Sequence, residues 1–470
     1  MNRLFTGFIL LFGLLLSACE DESSITNKSS AKLDFSTDTV FFDTIFRTVS
    51  TATKRLKVYN PQDNSVSIDE VQLMGQERSR FRVNIDGQPT NQANNIELRP
   101  NDSLFVFVEL TIDQSRSSNP YLVQDSLRFF TNGNEQFVNL TAYGRHVIIH
   151  RREAIEQDQT WNPDTAHLIV DAALVDSNAT LTIPAGTEVF ATGKSQLLVA
   201  GSLKVEGTAD EPVTFEGARP EPDFQGEPGQ WQGIRLLPAS QANQIEHAII
   251  SEGNVGLQVD SFALENRLKL RLRSTRISDL AIVGLAGFST SILAQNTIIN
   301  DCCGNLVTAQ DGGSYRFFHC TFMASTCECS PDGIPVVFEN DPSVGRDSLT
   351  FILLNSIAYG FKETSYDLLL PPGGEGTINP AVQNSLVKIG EQAPDVIKAI
   401  TDSTNVINKL PLFNNICEND FNLTENSPAL DSGRNISRLN DTFNLGLAED
   451  YAGNARSLDA PDIGALEFKP

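Results

Sequence analysis

NTIINDCCGNL, residues 296–306, decides the fold once it is set beside three other stretches of the chain. Placing Ile249, Ile277, Ile298 and Phe322 in one column leaves gaps of 28, 21 and 24 residues. Seven residues beyond the first three anchors stand Gly256, Gly284 and Asn305, and then Leu257, Leu285 and Leu306. Two residues before the anchors stand His247, Thr275, Asn296 and Cys320, and Asn355 holds the same slot before Ile357. A repeat of this length with no helical periodicity predicts a solenoid of stacked β-coils. One coil cannot hide its own apolar face, so the stack is the stable unit. The slot before each anchor reads as a turn position whose side chains stack and bond to backbone. The L-x-x-L-x-L-x-x-N spacing of leucine-rich repeats is absent.

The same texture extends outward from about residue 165, through Leu181–Thr187, Leu197–Leu203 and Val213–Phe215. Val199–Val205, Gly229–Ile234 and Asn355–Ile357 resemble right-handed parallel β-helix proteins of the pectin-lyase-like fold. Ser427–Gly433 and Pro461–Glu467 resemble the last coils of that fold in bacterial surface proteins. The resemblance covers residues 165–470. Many members cleave polysaccharide. The N-T-D, D-D and G-H-G segments of the galacturonan hydrolases are absent here, as are the W-I-D-H and R-x-P-x-x-R segments of pectate lyases.

Residues 31–147 read differently. Short alternating runs (Thr39–Phe42, Arg55–Tyr59, Phe81–Val83, Leu104–Leu110, Leu127–Phe130, Phe137–Ala142) are separated by turn residues such as Asn60-Pro61, Asp86-Gly87 and Asn132-Gly133. This predicts an immunoglobulin-like β-sandwich. Leu56–Pro61, the Pro100–Ser103 turn and Val138–Gly144 resemble the abnormal-spindle-type immunoglobulin-like domain, a module that binds or spaces. The fold class is therefore all-β, a sandwich followed by a right-handed parallel β-helix.

Residues 1–19, MNRLFTGFILLFGLLLSAC, have a positive start, a short apolar core and small residues before Cys19. This is the pattern of a secretory signal. It resembles a bacterial lipoprotein signal, which implies a diacylated Cys19 and attachment to the membrane by lipid. Residues 20–30 then form a polar tether. Their acidic Glu20-Asp21-Glu22 run suits a solvated linker and also resembles surface-export signals. The implied location is the cell envelope, as an outer-membrane lipoprotein facing either the periplasm or the cell surface. Thirty-five Lys and Arg against 59 Asp and Glu, net −24, exclude nucleic acid as a favourable partner.

Six cysteines remain after Cys19. C-C-x16-C-x6-C-x-C matches no zinc pattern, and an oxidising compartment favours disulfides. Cys303 and Cys327 each lie five residues after an anchor. Adjacent strands are about 4.8 Å apart, so the two suit a bridge. Cys302 is the rival partner, Cys320 and Cys329 suit a local pair, and Cys417 has no evident partner. Residues 266–273 alternate base and leucine, which sets Lys269, Arg271 and Arg273 on one outer face of a strand. That face suits either an anionic polysaccharide or acidic neighbours. Trp231 ends an acidic loop running from Glu216; it would stack on a sugar or pack at a strand entry. The loop carboxylates would hold Ca²⁺ or merely cap the helix, and no other cofactor is indicated. His247 fills a turn slot, and the remaining histidines lack metal spacing. No catalytic residue is assigned. The expected function is a non-catalytic, lipid-anchored envelope protein that binds extracellular glycans or forms an adhesion component. The alternative is a divergent polysaccharide lyase or glycoside hydrolase acting on uronic-acid polymers.

Overall fold

The computed structural model describes residues 24–46, 53–110, 121–145, 147–219, 224–261, 268–325, 335–340, 348–360, 368–369, 377–389, 403–443, 445, 448–457 and 459–469. Cys19 and the signal-like segment, residues 20–23 of the tether, Cys327 and Cys329 lie outside them. The chain divides into two compact units, residues 1–146 and 147–470.

In the first unit, Asp34–Phe35, Lys54–Tyr59, Ser103–Leu110, Phe81–Ile85 and Gln88–Pro89 lie side by side in one sheet. Thr39–Phe46, Asn134–Arg145, Tyr121–Thr131, Val66–Leu73 and Gln92–Leu98 form the second. All pairings are antiparallel except Thr39–Phe46 with Asn134–Arg145. Period-two alternation drives the assembly. Leu56, Val58, Val106 and Val108 of one sheet and Val71, Leu127, Phe129 and Leu140 of the other are all fully buried in one core. Each such side chain contributes about 1.5–3 kcal/mol. Buried Asn60 closes a corner, its side-chain amide donating to the Asn64, Leu98 and Arg99 carbonyls. The predicted tether is docked from Ile25 onward. Ile25 bridges Ser65, and the Thr26 N–H donates to the Ser65 carbonyl at 2.8 Å.

The second unit is a parallel stack running from Val147–Ile155 to Val406–Ile407. Three strand ladders run through it. Phe215, Ile250, Ile277, Ile299, Phe322, Ala358 and Val387 stack in one. Ile234, Leu257, Leu285, Val307 and Val336 stack in the second. Val205, Ile245, Leu272, Ala294, Phe317, Leu353 and Val382 stack in the third. All of these residues belong to a single continuous core.

The register corrects the predicted column at three coils. The inward residues are Ile250, Ile299 and Ala358, not Ile249, Ile298 and Ile357, and the second-ladder partner of Leu285 is Val307, not Leu306. In Ile249-Ile250 and Ile298-Ile299 both neighbours are apolar, so alternation alone does not orient them. The orienting feature is a left-handed corner three residues before each inward residue. His247, Ser274, Asn296, His319, Asn355 and Asn384 all have φ between 45° and 52°. Thr275 and Cys320 therefore belong one position on, in a second ladder with Thr297, Ser356 and Ser385. Each of these bonds through its Oγ or Sγ to the carbonyl two residues back.

Residues 413–469 leave the stack, which corrects their reading as last coils. Ala429, Ile463, Ala465 and Leu466 pack on the outward Ile298, Met323, Ile357 and Leu386. The short helix Ser437–Phe443 brings Leu439 and Phe443 against Leu293, Phe318 and Leu354. Arg456, buried, pins this cover down. Its guanidinium donates to the Gly464 and Ala465 carbonyls, to Asn296 Oδ1 and, at 3.1 Å, to Glu467. Asn355 of the corner ladder donates to the Arg434 carbonyl and accepts the Arg434 N–H.

Candidate functional site

The basic run enters the stack as strand Leu270–Arg273. Leu270 and Leu272 point inward as alternation requires. Lys269 does not share the outer face with Arg271 and Arg273. It sits at the corner before the strand and is fully buried. Its ammonium donates to the Leu237 carbonyl at 2.7 Å, the Pro238 carbonyl at 3.2 Å and the Asp260 carbonyl. Burial lowers its pKa to about 8, with the Asp260 charge opposing the shift. Arg271 is half-buried, and its Nη1 donates to the Phe443 carbonyl of the covering helix at 2.8 Å. Arg273 lies beside Glu246 in the register. Lys269 and Arg271 are thus engaged by backbone carbonyls.

Trp231 is also committed. It is 1 % exposed, and its indole N–H donates to the Ser251 carbonyl at 2.8 Å. No ring face is left for a sugar. Gly233, two residues on, has φ +107° and packs so close to the Val255 carbonyl that an added Cβ would overlap it.

The acidic loop is organised by Glu252, a residue outside it that sequence reasoning passed over. The Glu252 carboxylate accepts the Gly217 N–H at 3.0 Å, the Gly226 N–H at 2.9 Å and the Gln230 amide at 3.2 Å. Burial raises its pKa, and the two backbone donors oppose that rise. Glu221 and Asp223 lie outside the described residues. Among the described residues, no group of three or more His, Cys, Asp or Glu is arranged to hold a metal ion.

Cys302 and Cys320 are free, buried thiols facing the core. This corrects both Cys302 as a rival bridge partner and the Cys320–Cys329 pair. Burial raises both thiols, Cys320 to about 12, so neither is a reactive thiolate.

A polar cluster missed in the sequence lies on the first coils. His150 on Val147–Ile155 and His167 on Ala166–Val175 are 2 % and 1 % exposed and stack on Trp161, each with ring centres 4.4 Å apart. A chain of contacts runs from Glu153 Oε2 to His150 Nδ1 at 2.5 Å, from His150 Nε2 to His167 Nδ1 at 2.8 Å, and from His167 Nε2 to the Asn162 carbonyl at 3.1 Å. The carbonyl only accepts, so His167 Nε2 carries a proton and His167 Nδ1 accepts from His150. The Glu153–His150 contact must then hold one proton between two acceptors. Burial lowers both histidines, His167 to about 4. The sequence signal was weak, because the two histidines are 17 residues apart and meet only through strand pairing.

On the outer face of the neighbouring ladder, Asp260 accepts from Arg235 Nε at 2.7 Å and from the Gln258 amide at 2.8 Å. This carboxylate is likewise engaged.

A family model described as a pectate-lyase like beta helix domain matches residues 153–258, less than half of the chain. No curated protein matches the sequence.

Proposed function

We propose that the chain is a lipid-anchored protein of the cell envelope whose stacked coils form a non-catalytic scaffold serving recognition of extracellular polysaccharide or adhesion. The pectate-lyase-like match over residues 153–258 supports a polysaccharide-related role. The non-catalytic reading is carried by one observation: Lys269 and Arg271 of the basic run donate to backbone carbonyls. A base for proton abstraction needs a free lone pair within reach of substrate. Fold alone does not supply one.

In this reading Cys19 carries the lipid that holds the protein to the membrane, in the outer membrane on its periplasmic or outer side. The antiparallel sandwich is of the immunoglobulin-like, abnormal-spindle type and acts as a spacer. Cys303 bridges Cys327 as a staple between adjacent coils. Peptide mapping of unreduced protein tests the bridge; free thiols at both positions would remove it.

The function is tested by incubating the full chain with polygalacturonate and following unsaturated and reducing ends, alongside retardation in a polysaccharide-containing gel. Retardation without new ends is expected. New chain ends would overturn the reading in favour of a divergent polysaccharide lyase or glycoside hydrolase.

A further inference from the structure

The sandwich carries an outer face that none of the preceding argument uses. On Lys54–Tyr59 and Ser103–Leu110 the inward Leu56, Val58, Val106 and Val108 alternate with outward Arg55, Lys57, Tyr59, Phe105 and Phe107. The register sets Lys57 opposite Phe105 and Arg55 opposite Phe107. The Arg55 guanidinium lies 5.1 Å from the Phe105 ring centre. The Lys57 ammonium lies 5.6 Å from the same ring and 4.7 Å from that of Tyr59. The Phe105 and Phe107 rings are 6.4 Å apart and inclined by 27°. Phe107 is 39 % exposed, and Arg55 is exposed.

The carboxylates on this face stand at its edges. Glu109 accepts the Thr53 hydroxyl at 2.9 Å, and Asp34 lies across from Tyr59. Among the described residues neither Arg55 nor Lys57 is in an ion pair. Two cations without counter-ions, standing over a row of rings on a chain of net charge −24, form a local inversion of the molecule's charge.

We propose that this face binds an anionic polysaccharide. The C–H faces of its sugar rings lie over Phe105 and Phe107, and its carboxylates or sulfates pair with Arg55 and Lys57. The guanidinium fork suits a carboxylate in bidentate fashion. The rings of Phe105 and Phe107 suit the C–H faces of a sugar chain, which an inorganic polyphosphate lacks. The proposal rests on the glycan-binding half of the function above and gives the sandwich a binding role beside that of a spacer.

The test uses the full chain and measures affinity for polygalacturonate, for the uncharged hydroxyethylcellulose and for phosphatidylserine vesicles. Wild type should bind the polyuronate and not the neutral glucan. The Arg55→Glu/Lys57→Glu double variant should weaken that binding by about tenfold or more. Phe107→Ser should weaken it several-fold with melting unchanged. Should the charge reversal impair folding, Arg55→Gln/Lys57→Gln reads the same contact. No wild-type affinity, equal affinity for the neutral glucan, or wild-type affinity in folded variants would overturn the proposal. So would vesicle binding, in place of polyuronate binding, lost through the same substitutions. Turnover of the polyuronate would end the non-catalytic reading alone and leave this face to be judged by its variants.

Discussion

The same alternation of base and apolar residue occurs in both units with opposite outcomes. In Lys54–Tyr59 of the sandwich, the outward Arg55 is exposed and Lys57 lies over two rings. Around Leu270–Arg273 of the stack, Lys269 is swallowed at a corner and Arg271 is tied to the covering helix. A β-strand's period determines which side chains leave the core. It does not determine whether the far side is water or another layer of protein. In the sandwich that side is open at Phe107; in the later coils it is covered by residues 413–469.

The largest effect expected from breaking this contrast is in the stack interior. Phe322→Ala removes a fully buried ring touching Phe317 edge-on at 5.2 Å. It should cost about 3–5 kcal/mol by urea denaturation. A loss below 1 kcal/mol, the scale of a surface change, would show that the stack is not close-packed there.

Lys269→Met comes next. It keeps the stem but strips three carbonyls of their donor, and should cost about 1–3 kcal/mol. Were Lys269 an exposed cation, the melt would not move.

Acidification should weaken the first coils. His167 is neutral in the fold, its pKa lowered to about 4 by burial and, secondarily, by His150, against the Asn162 bond. The unfolded chain binds a proton below about pH 6.5. The unfolded state thus holds more protons between these values, and stability rises with pH. The His167 contribution is complete above pH 6.5 and is lost as pH falls toward 4, with a slope of up to about 1.4 kcal/mol per pH unit. Denaturation midpoints at pH 7.5 and 5 should differ less in His167→Asn than in wild type; equal differences would dismiss the histidine as the cause.

The smallest effect belongs to the sandwich face. Phe107→Ser should change stability by about 0.5 kcal/mol or less, although it weakens binding. A loss of several kcal/mol would mean that the ring is part of the core.

Legibility followed the same division. Runs such as Leu104–Leu110 and Phe137–Ala142 were readable because one face alternates cleanly. Val66–Leu73 and Gln92–Leu98 were missed: the first is interrupted by Asp69-Glu70, and the second is a largely polar strand at the edge of its sheet. The repeat was visible at Ile277 and Phe322 but slipped by one at Ile249, Ile298 and Ile357. Ile298 faces outward yet is buried in a second apolar cluster that includes Ile463 and Phe421, so the sequence there is apolar on both sides. Glu252 and the His150–His167 pair were invisible because each acts through partners brought together by coil stacking or loop return.

What the sequence by itself determined was periodicity: short alternating strands in one unit, and in the other a repeat that only stacking can bury. Burial of apolar side chains is local and recurrent enough to be written in such a pattern. What only the tertiary structure decided was the fate of the polar groups. Whether Lys269 meets water or carbonyls, and whether Trp231 offers a ring or buries it, depends on residues tens of positions away that the coil geometry returns to the same place.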